Sequence, residues 1–112
     1  MKNLIVLFLG LYLLAACTTD RDPKWLISED KMVEVLIDIH MSEGLVSSFP
    51  ISYDSSKKLY PMFEYEVFKK HQVNDSVFTK SLEHYMLSPR KMERIYSRTI
   101  DSLSIREKIG DN

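Results

Sequence analysis

The residues that could do chemistry are few. His40 and Glu43 stand three apart, a spacing that places two side chains on one face of a helix. A third ligand or proton carrier would have to come from His71 or His84, and no H-x-x-x-H or Glu-x-x-His pair accompanies them. Glu34 and Asp38 form a carboxylate pair, but on the projected solvent side of their helix, where acid–base work has no desolvated group to use. No serine lies in a G-x-S-x-G turn, and three glycines in the whole chain exclude a glycine-rich phosphate loop. Cys17 is the single cysteine, so no intrachain disulfide exists. These patterns call for no catalytic residue, no metal and no cofactor.

Cys17 closes an apolar run. Met1-Lys2-Asn3 is a small positive start, residues 4–14 are apolar apart from Gly10 and Tyr12, and Ala15-Ala16 supply the small residues of a cleavage site. A transmembrane helix needs about 20 apolar residues, more than this run holds. Leu14-Ala15-Ala16-Cys17 resembles the lipobox of bacterial lipoproteins. The resemblance implies removal of residues 1–16, a diacylglyceryl thioether on Cys17 and acylation of its new amino group. Each buried methylene contributes about 0.8 kcal/mol, and two or more chains hold where one is marginal. Thr18 after the cysteine, in place of aspartate, points to the outer membrane. In Thr18-Thr19-Asp20-Arg21-Asp22 the acids are interrupted by Arg21, which leaves both leaflets open.

Residues 17–112 make one small domain, and a chain of that size buries about two-thirds of its unfolded surface. The formal net charge of the whole chain is −1, which offers nucleic acid no basic face. Residues 17–24 read as the lipidated cysteine and a polar tether, of which the seven residues 18–24 span at most roughly 25 Å. Residues 25–109 read as the folded domain.

Within it, hydrophobic spacing near 100° per residue is helical throughout, with no period-2 strand. Ser28 is an N-cap with Glu29 and Asp30 in the first turn, and Ile27 and Met32 occupy staple positions. Met32, Val35, Leu36 and Ile39 share a face. Glu43 projects onto the middle of that face beside His40, an expected buried carboxylate that needs a partner. Gly44 and residues 47–56 read as helix end and loop. A second helix is expected near Ser56 with Pro61 in its first turn, and it carries Leu59, Tyr60, Phe63 and Val67 inward. Asn74 caps a third, with Phe78, Leu82, Tyr85 and Met86 inward and His84 outward. Ser88-Pro89 opens a last helix with Met92, Ile95, Tyr96, Thr99, Ile100 and Leu103 inside. The expectation is an all-α fold: a small bundle of about four helices, the third shortest, after a cleaved lipoprotein signal.

Leu26-Ile27-Ser28, the run from Lys31 to His40, Glu43, Tyr85, Pro89 and Ile95-Tyr96 together resemble an uncharacterised family of short helical lipoproteins from Bacteroidetes-type bacteria. The resemblance implies a helical, lipid-anchored envelope protein, with no catalytic residues to carry over.

The functional expectation is a non-enzymatic accessory or partner-binding module, held to the membrane through Cys17 and meeting another envelope protein. Glu43 and His40 are the candidate recognition groups. Lys80, Arg90, Lys91, Arg94 and Arg98 gather on the outer side of the last two helices as a candidate contact for anionic lipid or an acidic partner. The alternatives are a chaperone-like binder of outer-membrane segments, which wants an exposed apolar groove, and a small metal-dependent enzyme, which wants His40, Glu43 and His71 in one pocket.

Overall fold

The computed structural model describes residues 1–15 and 21–110. They form five α-helices: α1 Lys2–Ala15, α2 Glu29–Ser47, α3 Tyr53–His71, α4 Asp75–Met86 and α5 Pro89–Gly110. The fold is all-α, and no strand occurs among the described residues. The apolar run expected to be a signal forms α1. The four expected helices of the domain are α2 to α5, and α4, at 12 residues, is the shortest of these. Cys17, its acylation and the cleavage site lie outside the described residues.

α2 is the axis. Its N-cap Ser28 accepts from the Lys31 N–H at 3.2 Å, and Glu29 and Asp30 complement the helix dipole. Met32, Val33, Val35, Leu36 and Ile37 are all buried, so more than one face is covered, as in a helix with neighbours on two sides. Those neighbours are α3 and α5. Val67 and Phe68 pack from α3, Phe78 and Tyr85 from α4, and Ile95 from α5. The Phe68 and Phe78 rings meet at 5.0 Å between centroids.

Local chemistry sets the boundaries. α3 begins at N-cap Ser52, whose Oγ accepts from the Ser55 N–H at 3.3 Å. α3 ends in a Schellman turn: Gln72 is left-handed (φ 54°), its N–H donates to the Lys69 carbonyl, and the Val73 N–H donates to Phe68 at 2.9 Å. Asn74 then caps α4, accepting from the Ser76 N–H at 2.9 Å. Pro89 starts α5, where the missing N–H costs nothing.

Several expectations are corrected. α2 runs through Gly44 to Ser47, and α3 starts at Tyr53, so Pro61 lies inside it rather than in its first turn. Pro61 is exposed, so water can satisfy the carbonyl freed one turn earlier. Met86, Tyr96 and Ile100 face outward, and Ser81 is buried in their stead. Glu43 is not buried: its side chain is 52 % exposed and pairs with His40 Nδ1 at 3.2 Å. Half open to solvent, its carboxylate keeps much of its water.

Candidate functional site

Two polar constellations adjoin the core, one at Asp38 in the second half of α2 and one at the lead-in before its first turn. The first is built on Asp38, a residue that helical projection alone places in solvent. Its side chain is 14 % exposed because the C-terminal turn of α3 crosses over it. Lys70 Nζ donates to Asp38 Oδ2 at 2.8 Å and His71 Nε2 donates to the same oxygen at 2.7 Å. A carboxylate can only accept, which places a proton on Nε2. Arg106 of α5 adds its charge, with Nη1 3.8 Å from Asp38 Oδ1, and also donates to the Met41 sulfur at 3.0 Å. Burial pushes the Asp38 carboxyl up, but the hydrogen bonds from Lys70 and His71 and their charges together hold it below its ordinary value.

Beside this cluster runs an open groove of about 610 Å³, with Met41 and Leu45 from α2, Phe63 and Val67 from α3, and Asp38, Glu66 and Lys70 among its polar edges. Apolar and charged side chains share its lining.

The second constellation joins the lead-in before α2 to α4 and α5. The Ile27 N–H donates to Ser81 Oγ at 3.1 Å, and the Tyr85 hydroxyl donates to the Ile27 carbonyl at 2.6 Å. Ser81 and Tyr85 stand one turn apart, so one face of α4 pairs both backbone groups of one extended residue. Burial first, then the charges of Asp22 and Glu29, raise the Tyr85 phenol above its ordinary value. Trp25 lies edge-on to His84, with centroids at 5.8 Å, and under the Lys80 ammonium at 4.1 Å. Lys91 binds Asp22 at 3.0 Å, Arg94 binds Glu29 at 2.7 Å, and Arg98 binds Asp30 at 2.6 Å.

The basic group expected to face lipid or a partner is thus largely engaged inside the chain. Lys80 and Lys91 hold the lead-in, Arg94 and Arg98 hold the first turn of α2, and Arg90 alone of the five has no such partner among the described residues. The acids at 22, 29 and 30 that pair with Lys91, Arg94 and Arg98 are remote in sequence, and only the folded packing reveals the match.

The His40–Glu43 pair is exposed and separate from His71, which faces Asp38 and stands 4.0 Å from Glu34. Glu43 also edges a cleft of about 30 Å³ with Ile39, Ser42, Tyr60, Phe63 and Glu64, room for one water. His84 is half-buried against Trp25 rather than outward. Among the described residues no group of three His, Cys, Asp or Glu side chains is placed to hold a metal. Ser81 and the lead-in clamp escaped sequence reasoning; the one signal available was Tyr85 on an inward stripe, a hydroxyl that needs a partner when buried.

Among the described residues no helix is long and apolar enough to cross a membrane. Neither a curated protein nor a solved structure matches the chain. Residues 23–109, a span holding most of the clamp and nearly all of α2 to α5, match the family described as Domain of unknown function (DUF4296), and the chain belongs to that family.

Proposed function

We propose that this protein is a lipid-anchored component of the outer membrane, acylated at Cys17 after removal of residues 1–16. It serves there as a non-enzymatic accessory or partner-binding module for another envelope protein. The observation that carries the reading is the clamp. Among the described residues the first tie to the bundle is the Asp22–Lys91 ion pair, five residues after Cys17, and while it is made the anchor reaches at most about 18 Å. A module attached so closely presents a fixed side to its surroundings. The lipobox residues Leu14 to Cys17 support acylation, and the Met41–Leu45–Phe63 groove supplies a surface for a partner segment.

The test is intact-mass spectrometry of the mature protein, followed by in-cell crosslinking of wild type, Cys17→Ser and Leu45→Lys. The reading expects a Cys17 N-terminus carrying fatty acyl groups. It also expects a reproducible envelope-protein crosslink that weakens in both variants. An unmodified Cys17, or a crosslink pattern indifferent to Leu45→Lys, overturns the anchor or the partner surface respectively.

A chaperone-like reading draws on the same groove, whose apolar side chains suit an extended apolar segment. In that case crosslinks would spread over many unfolded outer-membrane chains rather than converge on one.

A further inference from the structure

The tether enters the domain at one end of the bundle, and that end carries an apolar tip. Asp22 is bound by Lys91, and Trp25 rests on His84. Between residues 84 and 91 the chain makes the tight turn from α4 to α5, with the Leu87 N–H donating to the His84 carbonyl at 3.3 Å. Polar residues are the norm at such a turn. Here Met86 is 64 % and Leu87 84 % exposed, and Trp25, which rests on His84 three residues before Leu87, is 37 % exposed. Lys24 precedes Trp25 and Arg90 follows Pro89 after the turn, both exposed and neither in an ion pair among the described residues. Exposed apolar side chains, an indole and basic groups are what a lipid interface takes, in that order from the acyl boundary outward.

We propose that the α4–α5 turn sits in the bilayer interface beside the anchor. Leu87 and Met86 enter the acyl boundary, Trp25 lies at headgroup level, and Lys24 and Arg90 meet lipid phosphates. The inference rests on acylation of Cys17. Residues 17–22 reach at most about 18 Å, which keeps the Asp22–Lys91 end of the bundle within that distance of the surface to which the acyl chains are fixed. The α2–α3 turn then points away from the membrane, because α2 leads from the clamp along 19 residues, about 28 Å of helix.

The experiment uses the mature acylated protein in vesicles of phosphatidylethanolamine and phosphatidylglycerol. Thioether formation consumes Cys17, so Leu87→Cys and, separately, Tyr53→Cys each offer one free thiol for an environment-sensitive fluorophore. Both positions are exposed, and circular dichroism checks that the helices are retained. The expected result is a blue-shifted label at 87, quenched several-fold more by headgroup-nitroxide lipids than the label at 53. The added Arg90→Glu change lowers that quenching when phosphatidylglycerol is present. Equal quenching at 87 and 53 in acylated, vesicle-bound protein overturns this inference and leaves the anchor intact. Mass spectrometry showing no acyl groups on Cys17 overturns both.

Discussion

Tyr85 and Ile27 lie 58 positions apart, and the hydroxyl of one donates to the carbonyl of the other at 2.6 Å. With Ser81 taking the Ile27 N–H, α4 handles the lead-in as a sheet edge would handle a strand, but through side chains. Each bond satisfies a backbone group that is shielded from water.

Removing either donor or acceptor leaves one of those groups without a partner. Tyr85→Phe and Ser81→Ala are each expected to lower stability by about 1–3 kcal/mol in urea unfolding. The double variant should lose less than the sum, because both act on one residue. The Tyr85 phenol is raised when folded, so its contribution is complete below the ordinary value of 10.0 and is lost as pH rises through the higher folded value. Tyr85→Phe should flatten the alkaline limb of the stability profile. A wild-type limb unchanged by that substitution would contradict the assignment.

Asp38 governs the acidic limb. Its carboxyl is lowered when folded, so the stabilisation is present above the ordinary value of 3.8 and is lost as pH falls through the lower folded value. Asp38→Asn should cost about 1.5–3 kcal/mol at neutral pH, the range for bonds to a charged group, and little once the wild-type carboxyl is protonated. Glu43→Gln, at an exposed pair, should stay within about 0.5 kcal/mol of wild type. Denaturant midpoints across pH distinguish the two carboxylates directly.

Gln72 offers a gain. Its left-handed backbone at φ 54° suits glycine, and the Schellman bonds around it use only main-chain groups. Gln72→Gly is expected to raise stability by about 0.5–1 kcal/mol, the relief of the Cβ contact less the added freedom of the unfolded chain. Thermal unfolding should move up by a few degrees. Gln72→Val should move it down, since a β-branched residue fits that backbone worst.

Much of the architecture could be read from the chain, because caps are local. Ser28, Asn74 and Ser88-Pro89 each mark a helix start within a few residues of where it occurs. Pro61 and Gly44 misled because proline and glycine are boundary signals only when the surroundings agree. At Gly44 an added Cβ would meet nothing within 4 Å, so no packing requirement fixes that residue, and the helix continues. Asp38 illustrates the other kind of miss. A single-helix projection sees it with Glu34 on a solvated side, and only the arrival of Lys70 and His71, more than 30 positions later, encloses it. The ion pairs of the basic group were hidden for the same reason: Arg94 and Glu29 are 65 positions apart.

The clamp also dictates an order of assembly. The first residues of the domain find their partners in α4 and α5, and α2 waits for α5 as one of its two neighbours. Because synthesis proceeds from the N-terminus, α2 can pack on α3 early, while the lead-in has nothing to lock against until α4 and α5 have emerged. The entry of the domain therefore fastens late, onto helices that follow the α2–α3 pair in the chain.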